Sequence, residues 1–255
     1  MGQIISISNQ KGGVGKTTTA VNLSASIVAS EKKCLLIDCD PQGNATTGLG
    51  IDKTSIKAGL YDFILGSEPE DAVTVETSMP GLFLIGATKE LVGAEVEIYI
   101  EDNREYLLKK RLASLKDKYD FIFLDCPPSL GFLTLNAMTA ADSVLVPLQC
   151  EYYALEGLSQ LLDTYKAVKR GLNPALQLEG ILLTMYDSRN NLSNQVEEEV
   201  RKHFKEVVFN TIIPRNVRVS EAPSHGKPII LYDVSSKGAQ SYLMLAMELI
   251  NKGIL

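Results

Sequence analysis

Apolar residues occur along the chain in short, nearly continuous runs that alternate with stretches of helical periodicity. The first run, at 4–8, is rich in β-branched residues and stops at a glycine cluster. From 16 to about 30, apolar residues then recur at the spacing of one helix face. The same reasoning predicts further strands at 34–37, 81–85, 121–124, 143–148, 180–184 and 207–213, and helices at 104–118, 133–140, 155–170, 194–204 and 241–250.

Strands that are apolar on both faces and alternate with helices are typical of a mostly parallel sheet covered on both sides. We therefore predict an α/β fold with three layers, in which a doubly wound, mostly parallel sheet lies between two layers of helices. The chain contains no internal repeat and no linker rich in glycine or serine. For this reason we expect residues 1–255 to form a single domain.

Composition narrows the classes of function. Apolar residues make up 45% of the chain and charged residues 22%, which is typical of a folded protein. The formal net charge of −6 argues against nucleic-acid binding driven by overall charge, although it leaves a local basic face open. The cysteines show no C-x-x-C spacing and lie in or beside apolar runs, which indicates reduced, structural thiols. With no signal peptide evident, we expect a cytoplasmic protein.

A glycine-rich loop with a lysine and a threonine lies between the first predicted strand and the first predicted helix. Its glycines let successive backbone N–H groups converge on phosphates, and the helix N-terminus adds its positive dipole. We expect Lys16 to neutralise the β- and γ-phosphates and the Thr17 hydroxyl to bind Mg²⁺. The motif predicts an ATP site and a fold of the P-loop NTPase type. Its predicted nucleotide-binding residues are Lys11, Gly12, Gly13, Val14, Gly15, Lys16, Thr17 and Thr18.

Three aspartates follow predicted strands. Asp38 and Asp40 come at the end of the second strand, and Asp125 ends a later one. In open α/β sheets, ligands bind beyond the carboxyl ends of the strands, so we expect these carboxylates to gather near the phosphate loop. Mg²⁺ keeps several waters and needs few direct protein ligands, so Asp38 and Asp125 join Thr17 as the predicted metal site. Asp40 lies further along its loop, where it could contact the γ-phosphate.

One position departs from the common pattern G-x-x-x-x-G-K-T. Gln10 stands where the first glycine is expected, and an extra lysine, Lys11, follows it. In this the sequence resembles the deviant Walker A family, which includes the ParA, Soj and MinD ATPases and, more distantly, the nitrogenase iron protein. The resemblance implies that Lys11 reaches the nucleotide of a second subunit, so that two chains sandwich two ATP molecules. It also implies that Asp40 positions the attacking water, which makes Lys11, Lys16 and Asp40 the expected catalytic set.

Later segments resemble chromosomal Soj and ParA proteins more closely. They are Gln-Cys-Glu-Tyr-Tyr-Ala-Leu-Glu-Gly at 149–157, Ile-Pro-Arg-Asn-Val-Arg at 213–218, and Ser-Glu-Ala-Pro-Ser-His-Gly-Lys-Pro at 220–228. The likeness therefore covers nearly the whole chain. It implies that the adenine is bordered by Met185, Pro214, Arg215 and Asn216.

The same likeness implies a DNA-partitioning cycle. Proteins of this kind bind double-stranded DNA without sequence preference as ATP dimers, and release it when a ParB-type partner stimulates their slow hydrolysis. The resemblance marks Arg189 and Arg218 for contact with the phosphate backbone and implies association with the nucleoid. Basic residues interleaved with the glutamates at 197–199 also fit a plain solvated helix face. The candidate helpers are Lys202, Lys205, Lys227 and Lys237.

Three alternatives share the phosphate loop. A membrane-associated spatial regulator of the MinD kind would need a basic amphipathic tail, whereas the chain ends with one lysine at 252, so we expect no stable membrane binding. An iron–sulfur reductase would need paired cysteines, and Cys126 has no second cysteine on a suitable glycine loop. A metabolic ligase would need an acceptor site, for which the sequence gives no signal.

Overall fold

Seven strands form one sheet in the computed structural model, which describes residues 2–98 and 102–252. Their order across the sheet is β3-β4-β2-β5-β1-β6-β7, and every neighbouring pair is parallel except β3 with β4. The predicted doubly wound, mostly parallel fold is confirmed. The strands are β1 (Gln3–Ile7), β2 (Cys34–Asp38), β3 (Thr74–Glu76), β4 (Leu82–Ile85), β5 (Phe121–Asp125), β6 (Ser143–Gln149) and β7 (Gln177–Thr184).

Helices connect these strands and cover both faces of the sheet. None of the helices within 2–98 and 102–252 has the length and apolar character that crossing a bilayer requires. The helices are α1 (Lys16–Ala29), α2 (Asn44–Gly48), α3 (Leu60–Leu65), α4 (Glu70–Val73), α5 (Ala94–Glu97), α6 (Leu107–Leu112), α7 (Phe132–Ala140), α8 (Ala154–Gly171), α9 (Asn191–Phe204), α10 (Val217–Glu221), α11 (Ile229–Tyr232) and α12 (Lys237–Lys252).

Two hydrophobic cores lie on opposite faces of the sheet. On one face α1 and α12 pack together, with Leu23 and Tyr242 fully buried between them and the strands. On the other face α3 and α6 to α9 bury residues such as Leu112 and Leu158. The cysteines Cys34, Cys39, Cys126 and Cys150 are free and buried, as predicted from their apolar neighbours.

The predicted strand at 207–213 is wrong. Its first residue ends a short 3₁₀ turn, and the chain then runs beside β7 with a single bridge from Val208 to Ile181. The Phe209 N–H donates to the carbonyl of Ile181 at 3.0 Å, and the pairing stops at the two backbone N–H groups that follow it, at Asn210 and Thr211. They donate to the carboxylate of Glu248 on α12 at 2.7 and 2.9 Å, so they are not available for a ladder with another strand.

The predicted helix at 104–118 is shorter than its apolar spacing suggested. A 3₁₀ turn at Arg104–Tyr106 leads into α6, and the chain then continues in turns as far as Lys118. The carbonyl of Lys116 accepts a hydrogen bond from the backbone N–H of Gly2 at 2.6 Å, which anchors the start of β1. Short elements such as β3 and α2 went unpredicted, because they contain too few residues for a period to show.

Candidate nucleotide-binding site

The phosphate loop joins β1, at the centre of the sheet, to the N-terminus of α1. Gly13 and Gly15 both adopt left-handed backbone conformations, with φ of 75° and 90°, which glycine takes without strain. The carbonyl of Gly15 accepts from the N–H of Thr19 at 2.8 Å and so starts α1. The sequence therefore wraps the loop over a helix N-terminus, where N–H groups and the helix dipole favour an anion.

Lys16, in the first turn of α1, keeps its ammonium group under this loop. The side chain is buried, and its Nζ donates to the carbonyl of Lys11 at 3.1 Å. Burial lowers the pKa of Lys16, while the nearby Asp125, Cys126 and Asp40 act in the opposite direction. A cation held this way is already positioned inside the site and needs only to exchange a neutral carbonyl for a stronger acceptor.

Lys11 lies on the outer side of the same loop. Its Nζ forms an ion pair with Glu151 at 2.9 Å, and about one third of its side chain is exposed. Its backbone N–H donates to Asn9 Oδ1 at 3.0 Å, and Asn9 Nδ2 donates to the carbonyl of Pro147 at 2.7 Å. The two lysines of the loop therefore face different directions, Lys16 inward and Lys11 toward the surface.

Asp38 lies at the carboxyl end of β2, directly opposite Asp125 on β5. It is fully buried and accepts from the backbone N–H and the hydroxyl of Thr46 at 2.8 and 2.7 Å. Burial raises the pKa of Asp38 to about 6, although the hydrogen bonds from Thr46 act against this. The parallel register of β2 and β5 thus brings the two carboxyl groups together, as predicted.

Asp125 is also fully buried, but neither of its carboxyl oxygens has a hydrogen-bond partner. Burial raises its pKa well above the ordinary value, and the charge of Asp38 raises it further. The Thr17 hydroxyl favours the ionised form without completing a well-formed hydrogen bond. An orphaned carboxyl group of this kind needs a partner. Asp125 with Asp38 and Thr17 fits a hydrated divalent cation.

The cation would not be held by protein carboxylates alone. Within 2–98 and 102–252, no group of three or more His, Cys, Asp or Glu side chains could hold a metal ion. Mg²⁺ retains waters and binds phosphate oxygens, so a threonine hydroxyl with two carboxylates behind it suits Mg²⁺ bound together with a nucleotide.

A cavity of about 560 Å³ opens above the phosphate loop. Asp40 is nearly buried in its wall, with Oδ1 accepting from the N–H of Gln42 at 2.9 Å. The volume lies within the range of small-molecule sites. Other lining residues include Gly12, Gly13, Gly15, Lys16, Thr17, Thr18, Asn22, Thr47, Met185, Pro223 and Lys227.

A second cavity, of about 230 Å³, adjoins the first and shares Gly15, Thr18, Met185 and Pro223 with it. Met185 follows β7 in a left-handed conformation with φ of 51°, which is uncommon for a residue with a side chain. All four residues expected at the adenine line this second cavity: Met185, Pro214, Arg215 and Asn216.

The far wall of the larger cavity could not be predicted from the sequence. It consists of α2 and the segment 222–229, whose Ile229 N–H donates to Asn22 Oδ1 on α1 at 2.6 Å. Gly50 and Gly226, both left-handed, meet back to back there: a Cβ on Gly226 would lie 2.5 Å from the Gly50 Cα. The only feature of the sequence that pointed to this wall was the glycine within 220–228. Lys227, a candidate DNA helper, lines this larger cavity.

Both arginines expected at DNA lie on segments that border the smaller cavity, and both are exposed. Arg189 makes two side-chain hydrogen bonds to the Asp187 carboxylate, at 2.9 and 2.8 Å, and these bonds, together with one from the Arg189 backbone N–H, lower the pKa of Asp187 to about 2. Arg218 pairs with Glu221 at 2.9 Å. A parallel bridge between Tyr186 and Pro214 connects the two segments. The other candidate helpers lie on α9, after it or at the start of α12: Lys202, Lys205 and Lys237.

The comparisons with known proteins agree with this geometry. A family model described as an AAA domain matches residues 2–178. A chromosome partitioning protein ParA from Myxococcus xanthus is 59% identical over 252 residues, which cover 99% of this chain and 89% of that protein. The sporulation initiation inhibitor protein Soj from Bacillus subtilis is 56% identical over 253 residues, which cover 99% of this chain and 100% of that protein.

A similar solved structure is cobyrinic acid a,c-diamide synthase from Mycobacterium smegmatis with bound ADP and magnesium. It superposes with a TM-score of 0.88 at 38% identity, over 100% of this chain and 96% of that chain. The likeness of fold therefore extends along the whole sheet and its helices.

Proposed function

The chain belongs to the ParA/Soj family of chromosome-partitioning ATPases, and from this premise we propose that it is a Mg²⁺-dependent ATPase whose nucleotide-bound dimer holds DNA. The observation that carries the proposal is the cavity above the phosphate loop. It brings Lys16, Thr17 and Asp40 together beside the orphaned carboxyl group of Asp125. These are the groups that binding and cleaving a triphosphate requires.

In the proposed complex the loop N–H groups surround the β- and γ-phosphates. Lys16 exchanges its hydrogen bond to the Lys11 carbonyl for a phosphate oxygen, which is a stronger, charged acceptor. Thr17, Asp38 and Asp125 would hold Mg²⁺ directly or through its waters, and the bound ion would neutralise phosphate charge. The adenine would occupy the smaller cavity against Met185.

Asp40 is the proposed water-positioning residue. It lies in the wall of the cavity, and the N–H of Gln42 fixes one carboxylate oxygen. The other oxygen is left to accept a hydrogen bond from a water that approaches the γ-phosphate. Phosphoryl transfer depends mostly on positioning and charge stabilisation, so a single oriented carboxylate suffices for this role.

The proposed dimer places a second copy against the outer side of the phosphate loop. Lys11 is accessible there, and the residues that follow its ion-pair partner Glu151 expose two large aromatic side chains, Tyr152 and Tyr153. Arg189 and Arg218 would contact the DNA backbone. A dimer presents two copies of each arginine to the DNA, whereas a monomer with a net charge of −6 binds DNA poorly. Nucleotide-driven dimerisation would therefore control DNA binding.

Light scattering with and without MgATP, repeated with duplex DNA of arbitrary sequence, tests this proposal. We expect a monomer without nucleotide, a dimer with ATP, and DNA binding by the dimer that weakens steeply between 50 and 200 mM salt, about 10-fold or more. A protein that stays monomeric with ATP, or that binds DNA equally well without nucleotide, would overturn the proposal.

An amide-forming synthase is the second candidate, favoured by the similar solved structure from Mycobacterium smegmatis. Such an enzyme consumes ATP productively only when a carboxylate acceptor and a nitrogen donor are both present. Hydrolysis by the purified protein that DNA and a ParB-type protein accelerate, with no acceptor added, would therefore favour partitioning over synthesis.

A further inference from the structure

The ion pair between Lys11 and Glu151 connects two segments that are far apart in sequence. One is the phosphate loop, and the other is the turn between β6 and α8. The Lys11 Nζ lies 2.9 Å from Glu151 Oε2, with 35% and 45% of the two side chains exposed. Within 2–98 and 102–252, the Lys11 ammonium has no other carboxylate partner.

Both ends of this ion pair are anchored. The side-chain amide of Gln149 donates to the second carboxylate oxygen of Glu151, and the Glu151 N–H donates to the Gln149 carbonyl at 2.8 Å. The Lys11 backbone is fixed through Asn9, as described above. The carboxylate is thus preorganised to accept the ammonium group, and Lys11 is confined to the side of its own loop.

Glu151 directly precedes the exposed pair Tyr152 and Tyr153, whose rings meet edge to face at 5.0 Å with 76% and 64% of the residues exposed. An exposed aromatic pair of this kind is typical of a protein–protein contact. The ion pair therefore lies between the phosphate loop and the surface at which a second copy would dock. There the Glu151 carboxylate pairs with the Lys11 ammonium group, and its negative charge repels an incoming phosphate.

We propose that Glu151 is a positioning residue that holds Lys11 in the monomer and opposes dimerisation until ATP is bound. This inference rests on the proposed function. For Lys11 to reach the partner's nucleotide, its ammonium must leave the Glu151 carboxylate. A triphosphate offers more negative charge than a diphosphate, so it competes better with the carboxylate. Glu151 thereby makes the dimer more selective for ATP over ADP.

Glu151→Gln tests the inference, because it removes the charge and keeps the shape. The matched control is Glu156→Gln, which removes an exposed charge on the first turn of α8 that has no ion-pair partner among the described residues. The dimer Kd is measured by analytical ultracentrifugation with a non-hydrolysable ATP analogue and with ADP, both with Mg²⁺ and without DNA. Melting temperatures of the two variants verify that neither is misfolded.

We expect Glu151→Gln to lower the dimer Kd about two- to fivefold, the range for an exposed ion pair. The ratio of the Kd with ADP to that with the ATP analogue should fall, while the control matches the wild type. An unchanged or higher dimer Kd would overturn the inference. So would the same gain in a Lys11→Ala background, because the effect would then be general charge repulsion.

The same titrations separate the inference from its premise. If the wild type never dimerises with the ATP analogue, the proposed function fails. If the wild type dimerises and Glu151→Gln matches it, only the role of Glu151 fails.

Discussion

Asp125→Asn should stabilise the nucleotide-free protein and abolish its function. Asp125 is fully buried beside Asp38, and both of its oxygens lack partners, so the wild type must either bind a proton there or bear an unpaired charge. Asparagine has nearly the same shape and carries no charge. The substitution also removes the carboxyl group whose pKa is raised by burial and by the charge of Asp38.

The direction of the Asp125 pKa shift decides whether the free energy of unfolding rises or falls with pH. The pKa of Asp125 in the folded chain lies above the unfolded value of about 3.9, so the folded state binds more protons as the pH rises past that value. The titration of Asp125 therefore lowers the free energy of unfolding of the wild type as the pH rises. The variant lacks this contribution, because asparagine does not titrate. A buried group without partners costs about 1–3 kcal/mol. For a chain of this size, we expect the variant to melt about 2–10 °C higher at pH 8.

Differential scanning calorimetry at pH 4 and pH 8, with EDTA and without nucleotide, measures the effect. The difference in melting temperature between the variant and the wild type should be near zero at pH 4 and largest at pH 8. Asp117→Asn, at an exposed aspartate, is the control and should show no such trend. With MgATP, the wild type should gain stability and Asp125→Asn should gain little. The reasoning is refuted if the variant melts lower than the wild type at pH 8, or if the difference is the same at both pH values.

Three further substitutions test the roles of single residues. Lys16→Ala leaves the phosphates without their main charge partner, so calorimetric titration should detect no ATP binding; an unchanged affinity would contradict this. Asp40→Ala should retain ATP binding and accumulate the dimer while hydrolysis falls about 100-fold or more; a wild-type rate would remove Asp40 from the mechanism. Arg189→Glu should abolish DNA retention and leave dimerisation intact, whereas Arg170→Glu, at the end of α8, should retain it. If gel shifts show no loss for Arg189→Glu, the DNA-binding surface lies elsewhere.

The phosphate loop and the carboxylates at the strand ends could be predicted from sequence because their geometry is local. A glycine loop between a strand and a helix has few alternatives, and carboxyl ends of parallel strands meet at one edge. Asp38 and Asp125 therefore came together once β2 and β5 paired. The predicted mostly parallel sheet with helices on both sides needed no detailed side-chain packing, since near-continuous apolar strands require cover on both faces.

Long-range partners could not be predicted. Nothing in the sequence pairs Lys11 with Glu151, which follows it by 140 residues. The segment 207–213 has the composition of a strand, but Glu248 on α12 takes its N–H groups. The packing of Gly50 against Gly226 likewise depends on how α2 and the segment 222–229 meet above α1.

The two margins of the sheet are both poorly suited to adding another strand. At one margin β3 offers only three residues, and at the other the chain from Val208 to Ile213 already bonds to the carbonyls of Ile181 and Leu183 on β7. Growth by backbone pairing needs a longer open row of N–H and carbonyl groups than these margins leave. We therefore expect a second copy of this chain to contact the first through side-chain surfaces rather than by extending the sheet.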